Sequence, residues 1–359
     1  MKNRKVMVAM SGGVDSSAAA YILCSRGYDC CGITMKLFQN HALHLPEDHA
    51  CCSEKDAEDA AKVAGSLEMP FYIYDLSPEF QEKVVDRFVA AYERGETPNP
   101  CIDCNRYMKF GILYDRAMEI GCDLVATGHY ARISYDEERG RYLLKKALDP
   151  RKDQSYVLYS MTQEQLSRTI FPLGEMTKTE VRGLAEKCGF ANADKPESQD
   201  ICFVPDGSYA EFIENYTGKT YPPGDFIRRD GSVLGRHRGI IRYTVGQRKG
   251  LGLALKKPGY VCGIDPEKNT VIIGDNEDLF TKKFRIRDLN LISCGRIGDE
   301  GMRLKVKVRY RQPEQWAVVT QTGLDTAMAE FDEPQRAITK GQSAVFYDGD
   351  IVVGGGVIC

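Results

Sequence analysis

A short polar stretch near the amino terminus has the composition of a phosphate-binding turn. Residues 11–17 read Ser-Gly-Gly-Val-Asp-Ser-Ser, and they follow an apolar run, residues 6–10, of the kind that is buried in a parallel sheet. Two adjacent glycines allow a tight turn, and the helix expected to follow offers free N–H groups to a phosphate. Asp15 is suited to hold Mg²⁺ that neutralises phosphate charge. An ordinary strand-to-helix turn usually carries one glycine and one capping residue, so two glycines with Asp15 and three serines predict a phosphate site. The stretch is not a Walker A loop, because no lysine follows the glycines.

A pair of cysteines is the second candidate for chemistry, in residues 97–105, which read Thr-Pro-Asn-Pro-Cys-Ile-Asp-Cys-Asn. The two prolines predict a stiff loop, and a helix is expected over 106–120. Cys104 would then lie near a helix N-terminus, where the thiolate is favoured and the pKa of the thiol falls. No second C-x-x-C occurs in the chain, which disfavours an ordinary zinc site. Cys202, flanked by apolar residues, gains interest only beside this pair.

Other polar stretches allow more than one interpretation. Residues 41–52 contain metal-ligand residue types without the paired spacing of a zinc site: His41, His44, His49, Cys51 and Cys52. Met35, at the end of a predicted second strand, could support an adenine ring or belong to the core. Residues 152–154, Lys-Asp-Gln, could position a phosphate or form an ordinary polar loop.

The order of predicted elements indicates three domains, over residues 1–204, 205–278 and 279–359. In the first, strands alternate with helices, which is typical of a doubly wound α/β fold with a parallel sheet. From residue 205 glycine and proline become frequent and one helical pattern remains, at 209–216, so we expect a small and mostly β central domain. Six short strands after residue 279 favour a small C-terminal β barrel.

The composition is that of a globular protein. The chain has 359 residues, 43% of them hydrophobic, and a net charge of −3. No apolar run is long enough to cross a bilayer and no signal peptide is recognisable, so we expect a cytoplasmic protein. The 13 cysteines are then expected to be thiols rather than a disulfide framework. Lysine and arginine are concentrated in two stretches, 228–257 and 282–311. These basic stretches are consistent with a polyanion-binding surface and, about equally, with a solvated face of a β domain.

The turn at residues 11–17 resembles the SGGxDS loop of the ATP pyrophosphatase (PP-loop) superfamily, whose members cleave ATP between the α- and β-phosphates. A closer resemblance covers essentially the whole chain. Several stretches in series are similar to the tRNA-specific 2-thiouridylases: residues 11–17, 97–105, 127–130, 152–156, 200–203, 243–251 and 341–349.

That resemblance implies roles for individual residues. An ATP site would comprise Ala9, Met10, Ser11, Gly12, Gly13, Val14, Asp15, Ser16, Met35 and Gly128. Asn99, Pro100 and Cys101 would lie against the target base. Cys104 would be the nucleophile and Cys202 the carrier of a persulfide. Contacts with tRNA would come from His129, Lys152, Asp153, Gln154, Arg309, Tyr310 and Gln342.

The resemblance also implies a reaction and its partners. The substrate would be the wobble uridine, U34, of the lysine, glutamate and glutamine tRNAs, activated at its C2 oxygen by AMP transfer from ATP with Mg²⁺. The sulfur would come from a cysteine desulfurase or a relay protein. It would reach the base from the Cys202 persulfide, and a Cys104–Cys202 disulfide would remain.

Alternatives stay open at this point. Some family members have Asp where this chain has Cys101, so Cys101, Cys104 and Cys202 could instead hold a [4Fe–4S] cluster that presents the sulfur. A different PP-loop enzyme, such as a 4-thiouridine synthetase or a GMP synthetase, would need an RNA-binding or glutaminase domain for which there is no room. A non-catalytic nucleotide- or tRNA-binding protein would not need Asp15 and both cysteines.

Overall fold

The fold was analysed in a computed structural model that describes residues 4–43, 54–190, 192–193, 195, 201–204 and 208–359. The strands are β1 (Lys5–Ala9), β2 (Asp29–Lys36), β3 (Phe71–Asp75), β4 (Leu124–Thr127), β5 (Ala131–Asp136), β6 (Arg141–Lys146), β7 (Thr169–Ile170), β8 (Gly224–Ile227), β9 (Val233–His237), β10 (Tyr260–Asp265), β11 (Thr270–Gly274), β12 (Phe280–Leu291), β13 (Met302–Lys307), β14 (Gln315–Gln321), β15 (Ala327–Arg336), β16 (Ser343–Asp348) and β17 (Ile351–Ile358). The helices are α1 (Val14–Ser25), α2 (Glu54–Ser66), α3 (77–93), α4 (100–119), α5 (Gln163–Ser167), α6 (Lys178–Lys187) and α7 (Tyr209–Thr217). Single 3₁₀ turns occur at Asn40–Leu43, Ser155–Leu158, Ile240–Arg242 and Asn276–Leu279.

The N-terminal part is built on a five-stranded sheet with the order β3-β2-β1-β4-β7, in which every pairing is parallel. Successive residues of β1 point to opposite faces, and both faces are covered. Val6 and Val8 pack with α1 and α2, whereas Met7 packs with residues of α4. This confirms the predicted doubly wound sheet, whose central strand β1 leads directly into the glycine turn.

Helices α3 and α4 are each continuous, but each contains a wider π-helical stretch. In α4 this stretch is Cys104–Ile112, between α-helical turns at Pro100–Asp103 and Leu113–Glu119. The prediction of a loop up to residue 105 was wrong. Pro100 occupies the first helical turn, where its missing N–H is not needed, and Asn99 caps the helix.

The C-terminal part confirms the predicted barrel. Strands β12-β15-β14-β13-β16-β17 form a sheet that closes through the pairing of β12 with β17. The hairpin β5–β6 from the N-terminal part extends the same sheet through the pairing of Ile351 with Lys145. The central part carries a separate four-stranded sheet, with the order β10-β11-β8-β9. Within the described ranges, no helix has the length and apolar character that crossing a membrane requires.

Candidate active site

The glycine turn lies at the carboxyl end of β1, between β2 and β4, where parallel sheets bind their ligands. Gly13 caps α1 in an extended conformation. Gly12 has φ +70°, and a Cβ there would collide with the backbone oxygen of Asp56. Gly128, just after β4, approaches the turn so closely that a Cβ would come within 2.8 Å of the backbone of Asp15 and Ser16. Glycine is therefore required at both positions by the approach of other backbone segments.

The serines of the turn hold its shape. Ser16 Oγ donates to the Gly13 carbonyl at 3.0 Å and accepts from Ser11 N–H at 3.2 Å. Ser17 Oγ donates to the same carbonyl at 3.2 Å. Ser16 and Ser17 are buried, whereas Ser11 is exposed. The backbone N–H groups at the start of α1, rather than the buried hydroxyls of Ser16 and Ser17, are therefore the donors best placed for phosphate.

Asp15 is held by two residues from other elements. Lys178 Nζ, at the start of α6, lies 2.7 and 2.8 Å from the two carboxylate oxygens, and Tyr130 OH donates to Oδ1 at 2.7 Å. Lys178 is 7% exposed, whereas the side chain of Asp15 keeps 30% of its surface exposed, so the carboxylate is accessible from solvent. Magnesium prefers carboxylate oxygen, so Asp15 is a suitable ligand by type, and in this structure its two oxygens lie against the ammonium group of Lys178.

A second group of side chains surrounds Gly12 and was not predicted. Asn192 Nδ2 donates to the Gly12 carbonyl at 3.0 Å and to Ser17 Oγ at 2.9 Å. Lys195 Nζ lies 3.4 Å from the same carbonyl, and it pairs with Asp56 and with Asp59. These residues are far apart in the sequence and no local motif marks them, apart from the two acidic residues near the start of α2.

The other predicted nucleotide-site residues lie at the same edge of the sheet. Ala9 ends β1, and Met10 N–H donates to the Ile33 carbonyl at 2.7 Å. Met35, near the end of β2, is half-buried and packs beside Tyr74 in two apolar clusters. Its predicted contact with adenine stays a prediction.

Cys104 differs from the sequence-based expectation. It lies inside α4 rather than at its N-terminus, since the helix begins at Pro100. Burial raises the pKa of its thiol to about 11, although Lys109 opposes the shift; Cys101 and Asp103 add to it. The predicted fall in pKa was wrong, because apolar packing here outweighs the helix dipole.

Cys104 and Cys202 pack against one apolar cluster. The neighbour of Cys202, Phe203, is 1% exposed, and its ring centroid lies 5.7 Å from that of Phe80 and 5.3 Å from that of Phe88. Both thiols are partly buried, and the cysteines in the described ranges form no disulfide. Two cysteines from distant parts of the sequence therefore border one apolar cluster.

The iron–sulfur alternative finds no support in this arrangement. Among the residues that the structure describes, no three His, Cys, Asp or Glu side chains converge so that they could hold a metal ion. Cys101 is exposed on the first turn of α4, three residues before Cys104. The histidines and cysteines of residues 41–52 fall outside the described residues, except for the backbone of His41.

The predicted contact with the target base lies beside a polar cleft. Asn99 Oδ1 accepts from Cys101 N–H at 3.2 Å, and Pro100 is buried behind it. A cleft of about 210 Å³ opens next to Asn99, between α3, α4 and the barrel. Its lining includes Arg87, Arg94, Arg106 and Arg287, together with Glu96, Asp103 and Asp288.

Several residues predicted to contact tRNA are engaged within the protein. Gln342 Nε2 donates to the Thr97 carbonyl at 2.7 Å. Arg309 donates to the Ala337 carbonyl at 2.8 Å, and burial lowers its pKa. Asp153 caps Ser155, and Gln154 Oε1 accepts from the Tyr130 N–H at 2.9 Å. The contacts of these four residues with RNA stay predictions. In the structure their side chains form hydrogen bonds within the protein.

Three further predicted RNA contacts differ in exposure. His129 is buried, and burial together with the charge of Lys109 holds its pKa well below the usual value. Its Nδ1 lies 2.7 Å from Thr127 Oγ1. Lys152 is half-buried, whereas Tyr310 is 36% exposed and donates from its hydroxyl to the Asp153 carbonyl at 3.2 Å.

Comparison with known proteins assigns the sequence to a family. Three family models cover the chain: a tRNA methyl transferase HUP domain over residues 4–206, a tRNA methyl transferase PRC-barrel domain over 210–275 and an aminomethyltransferase beta-barrel domain over 281–358. The tRNA-specific 2-thiouridylase MnmA of Clostridioides difficile is 50% identical over 99% of this chain and 98% of its own length. The chain belongs to the tRNA-specific 2-thiouridylase family.

Two more members of the thiouridylase family have about the same sequence identity to this chain. The MnmA proteins of Lachnoclostridium phytofermentans and Acetivibrio thermocellus are 50% and 49% identical, over 99% and 100% of this chain and of their own lengths. The family models carry methyltransferase descriptions, whereas the full-length relatives are named for 2-thiolation and give the more specific identification. Family membership confirms the resemblance inferred from the sequence motifs and makes the chain a member of an enzyme family.

Proposed function

We propose that this protein replaces the C2 oxygen of U34 with sulfur in the lysine, glutamate and glutamine tRNAs, in a reaction driven by ATP. The observation that carries the proposal is the placement of Cys104 and Cys202 on one apolar cluster, in a chain that also has a PP-loop turn. Thiol exchange requires two sulfur atoms that can come into contact, and the side chains of Cys104 and Cys202 both pack against this cluster.

The first step is activation of the base. The C2 oxygen of uracil attacks the α-phosphorus of ATP, pyrophosphate leaves, and AMP remains bonded to that oxygen. The residues that would hold ATP are 9–16, Met35 and Gly128. Backbone N–H groups at the start of α1 would bind the charged oxygens, and Mg²⁺, when bound, would neutralise part of the phosphate charge.

The second step is sulfur transfer. The terminal sulfur of a Cys202 persulfide attacks C2, and the Cys104 sulfur then attacks Sγ of Cys202. The bond between the two persulfide sulfurs breaks, and its electron pair stays on the sulfur attached to C2. AMP leaves with the C2 oxygen, so that 2-thiouridine and a Cys104–Cys202 disulfide are formed. The persulfide itself comes from a cysteine desulfurase or a relay protein.

The raised pKa of Cys104 sets a condition on this step. With a pKa of about 11 the thiol is protonated at neutral pH, so it is unreactive in the arrangement described. Cys104 would therefore have to lose its proton before its sulfur attacks Sγ of Cys202.

Four serine variants test the proposal and separate the two sulfur routes. Protein that has been treated with a chelator under anaerobic conditions and then freed of it is loaded with persulfide and mixed with ATP, Mg²⁺ and tRNA, and pyrophosphate and 2-thiouridine are measured. Cys202→Ser and Cys104→Ser are expected to release pyrophosphate but to form no 2-thiouridine. Cys101→Ser and the control Cys262→Ser, which changes a partly buried thiol of the central sheet, are expected to retain thiolation.

The same experiment identifies the outcomes that would overturn the proposal. Loss of thiolation in Cys101→Ser, or activity that appears only after iron and sulfide are added, would favour a cluster on three cysteines. Thiolation by Cys202→Ser at the wild-type rate would exclude the persulfide route altogether.

A further inference from the structure

The π-helical stretch of α4 determines which side chains of that helix lie above one another. In an ordinary α-helix, residues five apart differ by about 140° around the axis, so Lys109 and Cys104 would point in different directions. In a π-helical stretch the N–H of each residue pairs with the carbonyl five residues before it, which brings residues five apart to the same side. Both residues belong to the π-helical stretch Cys104–Ile112. Lys109 therefore lies one turn beyond Cys104 on the same side of α4.

The side chain of Lys109 acts on the sulfur of Cys104. Long side chains on a helix lean towards its N-terminus and cover the preceding turn, which here begins at Cys104. Burial is the largest influence on the Cys104 thiol and raises its pKa, and Cys101 and Asp103 raise it further. Among the described residues that act on this thiol, Lys109 is the one that lowers its pKa and so favours the thiolate.

A buried histidine holds the ammonium group of Lys109. Lys109 Nζ lies 3.5 Å from His129 Nε2, and His129 Nδ1 lies 2.7 Å from Thr127 Oγ1. An ammonium group can only donate, so Nε2 accepts, and the ring proton is then on Nδ1, which donates to Thr127. His129 is 7% exposed, and its ring centroid lies 6.0 Å from that of Phe110 and 5.8 Å from that of Phe171. The acceptor for Lys109 is therefore fixed by its surroundings.

The partner of Lys109 is neutral, which leaves the positive charge of Lys109 uncompensated. Burial and the charge of Lys109 hold the pKa of His129 well below its usual value, so the imidazole is uncharged at neutral pH. Within the described part of the chain no carboxylate pairs with Lys109, and Asp103 pairs instead with Arg87 at 3.5 Å. A carboxylate beside Lys109 would cancel much of its field at Cys104, whereas a neutral acceptor orients the ammonium group and preserves that field.

We propose that Lys109 supplies the positive charge that stabilises the Cys104 thiolate during sulfur transfer, and that His129 is a positioning residue that holds Lys109 beside the sulfur. The inference rests on the proposed function and deepens it, because it assigns to two residues the ionisation that attack on Cys202 requires. It also gives His129 a role inside the protein that does not depend on contact with RNA.

The test measures the ionisation of Cys104 in the absence of substrates. Alkylation of Cys104 by iodoacetamide is followed by peptide mass spectrometry between pH 7 and 10, and the thiol proton passes to the buffer. In Lys109→Met the rate at a given pH should fall at least about tenfold, because a nearby opposite charge typically changes the thiolate fraction by that factor or more. Lys109→Arg keeps a positive charge and should recover most of the wild-type rate.

The sign of the change separates a role of charge from a role in structure. If Lys109 only stabilised α4, its loss would loosen the helix, expose Cys104 and raise the alkylation rate. Arg116→Met is the matched control, since it removes an exposed cation from the same helix that is not among the charges acting on Cys104. We expect this control to react like the wild type.

A second variant keeps the inference testable should Lys109→Met fail to fold. His129→Phe retains an aromatic ring but removes the acceptor for Lys109, so the alkylation rate at Cys104 should fall by a smaller factor than in Lys109→Met. In the turnover assay, Lys109→Met should release pyrophosphate at a rate near that of the wild type but form 2-thiouridine more slowly.

Two results would overturn the inference while leaving the proposed function intact. One is a Lys109→Met protein in which Cys104 is alkylated as fast as in the wild type, or faster. The other is a Lys109→Arg protein that reacts as slowly as Lys109→Met, since the charge would then not be the cause. An unchanged rate in His129→Phe would remove the positioning role of His129. A wild type that forms no 2-thiouridine would instead contradict the proposed function.

Discussion

At the scale of single residues, Cys104 illustrates how packing decides reactivity. The sequence places it after two prolines, and that pattern predicts a helix N-terminus and a reactive thiolate. In the structure Pro100 is already part of the helix, and Cys104 begins the π-helical stretch of α4, facing the apolar cluster. A sequence motif indicates which residue could react, but the pKa of its thiol depends on burial by the tertiary fold, which no local pattern encodes.

Alkylation of the native protein should therefore follow a clear order. At pH 7 without substrates, the exposed Cys101 should react with iodoacetamide well before Cys104. The rate at Cys104 should rise with pH towards its pKa of about 11, because only the thiolate reacts. Site-resolved peptide mass spectrometry between pH 7 and 10 measures both rates.

Unfolded protein provides the control, since denaturation should bring the rates at Cys101 and Cys104 close together. Equal rates in the native protein at pH 7 would show that Cys104 is not protected as described.

The glycine turn was the most predictable part of the site. Adjacent glycines, serines and Asp15 all follow local rules, and the structure has the expected turn at the end of β1. The side chains that hold it were not predictable, because Lys178, Asn192 and Lys195 reach the turn from over 160 residues away. Their positions depend on how α6 packs on α1, which is a property of the tertiary structure.

At the scale of elements, the barrel and the loop before α4 are in close contact. Thr97 N–H donates to the Lys340 carbonyl at 2.8 Å, and Gln342 returns a bond to the Thr97 carbonyl. Gly341 lies between them with φ +86°, and a Cβ there would come 2.9 Å from the Cβ of Glu96 and 3.0 Å from Thr97 N. The barrel thus fixes the segment that leads to Asn99 and Cys101.

Gly341→Ala should consequently destabilise the protein more than a matched change elsewhere. Gly349 has φ +60° and open space around its Cα, so Gly349→Ala should cost only the strain of the left-handed backbone, about 1–2 kcal/mol. Gly341→Ala adds a steric clash of about 1–3 kcal/mol to that strain. Denaturant midpoints of both variants, together with their thiolation rates, measure the difference. Equal midpoints would mean that the barrel is not held closely against residue 97.

At the scale of the whole molecule, the domain order was predictable from the sequence. Strands alternate with helices up to residue 204, glycine and proline become frequent from residue 205, and only short strands follow residue 279. The six barrel strands were each anticipated from short apolar runs, and closure of the barrel by β12 and β17 followed. The addition of hairpin β5–β6 to the barrel sheet could not be predicted, because the pairing of Lys145 with Ile351 has no local signal. That addition ties the first and last parts of the chain together.

The basic stretch of the central part offers a test of RNA binding at this scale. Residues 248–259 surround a cavity of about 410 Å³ lined by Arg248, Lys256 and Lys257, and both lysines are exposed. If Lys256 contacts a phosphate of tRNA, Lys256→Glu should weaken binding at low salt and reduce the slope of log affinity against log salt by about 0.7–0.9. Binding titrations at several salt concentrations measure the slope.

Lys187→Glu makes the same change of charge on α6 and serves as the control, since only a general loss of positive charge would affect both variants alike. An unchanged slope in Lys256→Glu would remove this loop from the RNA-binding surface.

The central claim is that Cys104 and Cys202 act on each other during sulfur transfer. A single turnover by persulfide-loaded protein with ATP and tRNA, quenched with acid and analysed by peptide mass spectrometry without reductant, tests it directly. The account predicts one Cys104–Cys202 disulfide for each 2-thiouridine formed. Formation of 2-thiouridine while both cysteines are recovered as thiols, or a disulfide that joins Cys202 to Cys101 instead, would contradict it.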